Sequence, residues 1–479
     1  MQYLVGVDCG TQSAKVVIYD EGGTPVAEGR QVLRPMDRPR HGMVMHSDDD
    51  IWTSISAACR QAMANFEATL PGRSADVAAV GICPIRCCKT FLDSAGQLIE
   101  PVMSWMDDRA YSPYVPDDAR LHVATTLSGY IAHRFTGRFA DTVANNIVGQ
   151  WPIDADRWAW TGDPKLLQQF NLRADQLVEL QMPGDTIGPL TRIAAEATGL
   201  PAGIPVVHTA NDKAVEMLGA GDLGPRTALI SLGTYIAAMM NGEEHHASPT
   251  NFWTNFACVP HRYLYESNGV RRGMWTLTWF LDLLGPELAA HVDTLGLSRE
   301  QYLEREANMV PAGSDGLMTV LDWLAPNDKP FRKGTMIGFD ARHGRGHLYR
   351  SILEAITLTM KHNVDTMTTE LGVTLDAIVV SGGGSASDLL MQIFADAFGL
   401  PAQRSAHGGA SLGSAMCAAA AVGLYPTINE AAAAMAATRE TFEPNIANGD
   451  LYRAMINSMY LKIRAATDPL LEQSYPLFH

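Results

Sequence analysis

At 479 residues the chain is too long for one hydrophobic core, so two large domains are expected. With 47% hydrophobic and 18% charged residues, and no long uncharged apolar run, it reads as a soluble globular enzyme without a membrane span. The net charge of −16 argues against a nucleic-acid or anionic-membrane partner. It does not argue against a small phosphate, which backbone donors, helix N-termini and Mg²⁺ hold locally.

The chain opens on a hairpin. Residues 3–7 and 14–19 are apolar runs that read as strands, joined by Asp8-Cys9-Gly10-Thr11. A glycine lets backbone pass close to a phosphate, and neighbouring N–H groups can converge on an anion. Asp8 ends its strand facing the turn, where a carboxylate would hold Mg²⁺. Thr11, Gln12 and Ser13 would donate to phosphate oxygens, and Lys15 would add charge. A tight hairpin with a turn Asp is the plainer alternative. Met1-Gln2-Tyr3-Leu4 runs straight into the strand with no basic segment or cleavage site, so a cytoplasmic protein is expected. A third strand ends near Val32. Ser47 then starts a helix, as an N-cap with Asp50 three residues on and Ile51, Trp52, Ile55 and Cys59 at helical spacing. Strands follow at 77–82 and 90–92, and a helix at 127–135 stopped by Gly137. Residues 205–208 form a short buried strand, and a helix begins at Asp212. A fixed carboxylate there would take the proton of an attacking alcohol, or would simply cap the helix.

The second half repeats the opening. Gly221-Asp222-Leu223-Gly224-Pro225 marks the boundary, giving domains 1–222 and 223–479. Residues 227–230 and 236–240 flank Ser231-Leu232-Gly233-Thr234, a second turn of the phosphate-binding kind. Helices are predicted at 274–284 and 348–371. An apolar strand at 376–380 runs into Ser381-Gly382-Gly383-Gly384-Ser385, where glycines would let an adenine or ribose lie against the backbone, or simply make a flexible turn. Helices at 388–398, 411–421 (small and alanine-rich) and 451–465 complete the chain. Strands then helices, twice over, predict two α/β domains around a cleft. Two such turns closing on one polyphosphate point to a nucleotide-dependent phosphotransferase. The seven cysteines form no CxxC pair and read as reduced thiols.

Together these segments resemble the FGGY carbohydrate kinases of the actin-like ATPase superfamily, nearly end to end. Residues 5–19 resemble the family's first phosphate motif. Residues 79–93, with Pro-Val-Met-Ser-Trp-Met-Asp-Asp-Arg at 101–109, resemble its sugar-facing strands. Residues 130–137 resemble its Y-x-x-x-R-L-T-G segment. Residues 199–220 resemble the stretch carrying its catalytic base, Ser231–Thr234 its second phosphate motif, and 379–400 its adenosine motif. The resemblance implies two actin-like (ribonuclease H-like) domains, each a mixed sheet flanked by helices, closing on ATP, Mg²⁺ and a sugar or polyol, and a possible homodimer. It implies Asp212 as base and Asp8 with Mg²⁺. It places Gly10, Thr11, Gln12, Ser13, Gly233 and Thr234 on the phosphates, and Gly383, Gly384 and Asp388 near adenosine. Arg86, Cys87, Trp105, Asp107 and Asn146, with Asp212, are the expected substrate contacts.

The pocket departs from the family. Arg86 resembles the glycerol kinase branch, and would either donate to a sugar hydroxyl pair or bridge the two domains. Cys87 replaces the partner of both the xylulose and glycerol kinases, and Met45-His46 replaces an acidic or amide pair. Between Arg109 and Tyr130 the chain is short and lacks the K-x-x-W-L signature, which suggests a stretch left out of the sequence beside the proline-rich residues 111–118. The expected activity is phosphorylation of a ketopentose such as D-xylulose. Glycerol, erythritol, ribulose and six-carbon or deoxy sugars are alternatives within the class. An actin-like ATPase that binds a partner is the alternative of another class, and a degenerate kinase kept as a sugar-responsive binding protein is a further one.

Overall fold

The computed structural model describes every residue except Asp222, Thr234, Asn327, Ala406, His407, Ala437, Thr438 and His479. The N-terminal half is built on a six-stranded sheet. Its strands are β1 (Tyr3–Cys9), β2 (Ser13–Tyr19), β3 (Pro25–Val32), β4 (Val77–Pro84), β7 (Thr186–Pro189) and β8 (Pro205–His208), ordered β7-β8-β4-β1-β2-β3. Helix α1 (Asp50–Thr69) packs on β3. A small pair, β5 (Lys89–Leu92) with β6 (Val123–Thr126), leads into helix α2 (Leu127–Thr136), and helix α3 (Asp212–Gly219) follows β8.

The C-terminal half carries an eight-stranded sheet. Six strands lie in sequence as β9 (Thr227–Leu232), β10 (Tyr235–Gly242), β11 (Phe252–Phe256), β12 (Tyr263–Ser267), β13 (Val270–Arg271) and, after helices α4 (Gly273–Leu283) and α5 (Arg345–Leu371), β14 (Ala377–Ser381). Helix α6 (Asp388–Phe398), β15 (Ala402–Ser405), helix α7 (Ala410–Ala421) and β16 (Arg439–Phe442) follow, and the order is β11-β12-β10-β9-β14-β15-β16, with β13 on β10. The two sheets share one pairing scheme. A central hairpin (β1/β2, β9/β10) is antiparallel, its first strand runs parallel to β4 or β14, the next pairing is parallel again, and the edge strand is antiparallel. The duplication expected from the two Gly-Thr turns is therefore a duplication of topology.

Helix α7 belongs to the second half in sequence but lies against β1 and β4 of the first sheet. A Cβ on Gly6 would sit 1.8 Å from the Ser411 carbonyl oxygen, and one on Gly81 would sit 2.1 Å from that of Ser414. Alanine and serine along α7 permit the same approach from the other side. Backbone cannot yield as a side-chain tip can, so Gly6→Ala is expected to cost about 3 kcal/mol, read as a lower urea midpoint at unchanged slope.

Several sequence expectations shift. The helix expected from Ser47 starts at Asp50, because the Ser47 hydroxyl donates to the Pro35 carbonyl and makes no cap bond. Asp49, at the cap position, gives its carboxylate to Tyr130 and Arg134 instead. The C-terminal helix expected at 451–465 is two helices, Ile446–Met455 and Leu461–Phe478, joined by a π-turn. Between Arg109 and Tyr130, where a stretch left out of the sequence was expected, the chain forms a short connection. The chain runs unbroken from a 3₁₀ turn at Asp108–Tyr111 to β6, and buried Lys89 closes the connection by donating to the Ser112 carbonyl at 2.6 Å. The boundary expected at 222/223 falls on a residue outside the described set, in the link between α3 and β9. The cysteines are all buried and unbridged. No helix among the described residues is long and apolar enough to cross a membrane.

Candidate active site

The start of α3 lies close to both hairpins: the charge of Asp212 acts on Asp8 of β1, and Lys213 donates to Ser231 of β9. Asp212 is the first residue of α3, but it is not the cap. Asn211 takes that task, its Oδ1 accepting from the Ala214 N–H at 3.0 Å. The Asn211 amide also donates to the carbonyls of Ala144 and Phe256, both at 3.1 Å, which ties the helix start to both halves. The Asp212 carboxylate does not cap the helix, and its Oδ1 accepts from the adjacent Lys213 N–H at 3.0 Å. Arg86 Nε lies 3.4 Å from its Oδ1. Solvent reaches 31% of the Asp212 side chain, yet burial is the main force raising its pKa, with Arg86 and Lys213 opposing. Both facts describe a group on a cleft floor, open on one side and walled on the others.

Asp8, at the end of β1, lies in the same recess. Burial first, then the charges of Asp212 and Glu216, push its pKa to about 7. A carboxylate so disfavoured as an anion is one that a divalent cation would relieve, and Mg²⁺ commonly takes one or two protein carboxylates with the rest of its shell from phosphate and water. Asp8 therefore fits the Mg²⁺ role. Among the described residues no group of three or more His, Cys, Asp or Glu side chains could hold a metal ion.

The first Gly-Thr turn is pinned from two sides. The Gly10 N–H donates to the Ser13 carbonyl at 3.0 Å, and the Leu33 N–H donates to the Gln12 carbonyl at 2.9 Å. The Gln12 side chain is exposed and Thr11 and Ser13 are partly so. Ser13 Oγ accepts from Arg30 at 3.2 Å, and Lys15 pairs with Glu28 at 3.2 Å. Gly233 lies between β9 and β10 in the second turn, whereas Thr234 lies outside the described residues. At the third glycine element, Gly383 and Gly384 open a 3₁₀ turn. The constrained glycine there is Gly382, at φ +86° with an added Cβ 2.7 Å from the Leu232 carbonyl oxygen. Asp388 starts α6 beside this loop and pairs with Arg404 at 2.8 Å.

The expected substrate residues divide. Trp105 reaches the phosphate turn, its indole N–H donating to Thr11 Oγ1 at 3.0 Å. Arg86 forms a bidentate pair with Glu266 of β12 at 2.6 and 2.8 Å and lies over the Trp253 ring at 4.7 Å. Of its two expected roles, it fills the interdomain bridge, while its Nε faces Asp212. Cys87 adopts φ +61°, uncommon for a non-glycine residue. Burial pushes its thiol to about 11, and Gln150 hydrogen-bonds it. It is a packed, protonated thiol beside the pocket. Asn146 is wholly buried; its amide donates to the Thr142 carbonyl at 2.8 Å, and its Oδ1 has no partner among the described residues. Asp107 does not face the cleft. Its fully buried carboxylate accepts from the Val44 N–H and from the Arg109 backbone and guanidinium, all within 3.0 Å. The substrate contact assigned to it is corrected to a structural one, because its acceptor positions are already filled.

Three charged residues at this site escaped the sequence reading. Glu266 pairs with Arg86. Lys213 and Glu216 follow Asp212 on α3, with Lys213 Nζ 3.0 Å from Glu216 Oε2. Their i, i+3 spacing from a helix starting at Asp212 was the available signal.

The pattern of the FGGY family of carbohydrate kinases, N-terminal domain, matches residues 3–115, and that of its C-terminal domain matches residues 228–422. The chain belongs to the FGGY family of carbohydrate kinases. It is 43% identical over 479 residues, all of this chain and 96% of the relative, to an uncharacterized sugar kinase, YgcE, of Escherichia coli strain K12. It is 26% identical to the autoinducer-2 kinase of Klebsiella pneumoniae subsp. pneumoniae, with 95% of this chain and 93% of the relative covered. The fold is that of the xylulose kinase from Rhodospirillum rubrum, with a TM-score of 0.81 at 23% identity over 98% of this chain and 100% of the other. This sugar kinase thus has the two-domain FGGY fold, with mixed sheets flanked by helices.

His46, in the stretch that departs from the family, is buried and neither ring nitrogen has a partner among the described residues. Burial lowers its pKa to about 4 from 6.5. Between those values the unfolded chain binds a proton that the native state refuses. The stability His46 contributes is complete above pH 6.5 and is lost as pH falls toward 4. In that window Tm should fall with acidification, and His46→Leu should flatten the fall by up to about 3 kcal/mol, measured as urea unfolding free energy at pH 4.5 and 7.

Proposed function

We propose that this kinase transfers the γ-phosphate of ATP to a hydroxyl of a small uncharged ketose or polyol, first of all a ketopentose such as D-xylulose. The observation that supports this is the setting of Asp212: Asn211 caps α3 in its stead, and the Asp212 side chain keeps 31% of its surface open to solvent beside Arg86. Arg86 and Lys213 are each matched by a carboxylate, Glu266 and Glu216, which favours a neutral substrate. In the reaction Asp212 aims the hydroxyl and takes its proton as the oxygen attacks the γ-phosphorus. The bond from that phosphorus to the ADP oxygen breaks. Backbone N–H groups of the Gly10 and Gly233 turns, other than that of Gly10, which the Ser13 carbonyl already holds, meet the phosphates, the Gly382–Gly384 loop lies against adenosine, and Trp105 offers a ring to the sugar face. Asp8 would hold Mg²⁺, which would neutralise charge on the phosphates. Closure of the halves excludes water, which would otherwise accept the phosphate.

The likeness to xylulose kinases is one of fold, and an autoinducer-2 kinase is among the relatives, so the test is a panel. ADP release from MgATP is measured with D- and L-xylulose, D- and L-ribulose, erythritol, glycerol, D-fructose and autoinducer-2. Strong stimulation by one ketopentose supports the reading. Stimulation only by another member moves the substrate within the class. A steady ATPase indifferent to all of them favours the partner-binding ATPase.

A further inference from the structure

Lys213 stands where the catalytic helix meets the second phosphate turn. Its Nζ bonds Ser231 Oγ at 2.7 Å and Glu216 Oε2 at 3.0 Å. Ser231 is the residue from which the Gly233 turn departs. Glu216 in turn accepts from Ser231 Oγ at 2.9 Å and from Ser381 Oγ at 2.6 Å, and Ser381 ends β14 at the start of the glycine loop. One carboxylate on α3 thus gathers the strand ends that launch both nucleotide-facing loops of the second half, together with one ammonium.

An ammonium carries three N–H donors. Two are used here, and the third has no partner among the described residues, while 13% of the side chain is open to the cleft. The surrounding charge favours a resident cation. Asp8, Asp212 and Glu216 converge on this recess, and Arg86 is largely taken up by its bidentate pair with Glu266. A nucleoside triphosphate brings several more negative charges into the same space. A purely structural Lys-Glu pair would need no link to Ser231, and buried ion pairs are weak stabilisers in themselves.

We propose that Lys213 is a catalytic residue that contacts the transferring phosphate of the nucleotide, and that Glu216 is the positioning residue that aims it. This rests on the reading of the site as an ATP-dependent kinase. The ammonium stays protonated throughout. The substrate oxygen forms its bond to the γ-phosphorus, the bond to the ADP oxygen breaks, the hydroxyl proton goes to Asp212, and Lys213 offsets charge on the phosphoryl oxygens.

The test compares wild type with Lys213→Gln, which keeps polar contacts to Glu216 and Ser231, and Lys213→Arg, which keeps the charge. Calorimetric Kd values for MgADP and MgATP are measured without sugar, and kcat and both KM values with the best sugar of the panel. Lys213→Gln is expected to weaken nucleotide binding about tenfold and to lower kcat about 10²-fold, with the sugar KM changed less than about threefold. Lys213→Arg is expected to recover most of the nucleotide affinity. Unchanged Kd values in a folded Lys213→Gln overturn the proposal, as does a defect confined to the sugar KM. If no sugar stimulates the wild type, the kinase reading fails, but the Kd comparison still decides whether Lys213 meets phosphate. If Lys213→Gln does not fold, Lys213→Met replaces it: unchanged Kd values in a folded Lys213→Met overturn the proposal, and loss of folding in both marks the pair as structural and overturns it too.

Discussion

Asp212→Asn is expected to lower sugar-dependent turnover by about 10³-fold while leaving the fold and MgADP binding close to wild type. Stability should survive because Asn211, not Asp212, caps the helix, and because Arg86 keeps its bidentate partner Glu266 when the Asp212 charge is removed. Turnover should not survive, because an amide of the same size can still position the hydroxyl but cannot take its proton. The wild-type pH profile carries a matching signature. Burial raises the Asp212 pKa above its ordinary 3.8, and a base acts only when deprotonated. The kcat/KM for the sugar should therefore fall as pH drops through that raised value, and the variant should lose this limb. Residual turnover within about tenfold of wild type would move the base elsewhere, with Glu216, Glu266 and Asp8 the neighbouring carboxylates to examine.

What could be read from the sequence, and what could not, follows from the range of the interactions involved. The first Gly-Thr turn, the strand before each of the two turns and the helix at Asp212 are local patterns of alternation, turn chemistry and capping, and they stand where the sequence places them. The role of Asp212 needed one step more. Asp and Asn are adjacent at the helix start and both cap well, so only the structure shows that Asn211 makes the bond. Asp107 misled for a related reason. A W-x-D-x-R stretch is local in sequence, but the Val44 N–H that occupies its Oδ2 comes from a distant loop. The partners of Arg86 were equally out of reach, since Glu266 lies 180 residues away and on the other half of the chain. Glu216 was visible as a helix residue three positions after Lys213, yet nothing local indicates that Ser231 and Ser381 converge on it. Packing of α7 on the first sheet left a trace in Gly6 and Gly81, which interrupt otherwise apolar strands, but the trace names no partner.

The Arg86–Glu266 pair should show the largest effect on stability and a distinct effect on activity. Glu266 is fully buried and Arg86 nearly so. Removing one partner of such a pair strands the other charge, whereas removing both can be almost neutral. Arg86→Met is therefore expected to destabilise the protein by about 3–5 kcal/mol, and Arg86→Met with Glu266→Met to return most of that, both measured by urea unfolding. Activity should not follow stability. Arg86 also lowers the Asp212 pKa, so its loss should raise that pKa and move the acid limb of kcat/KM to higher pH in the single variant. In the double variant the departure of Glu266, which raises the same pKa, partly offsets the move, while the lost bridge between the halves keeps turnover low. Restored stability with depressed turnover would show that the pair matters for closing the site over its substrates, since packing alone would bring both back together. Strictly additive single effects, each below about 1 kcal/mol, would mean that the two side chains do not meet in solution and would remove the bridge from the account.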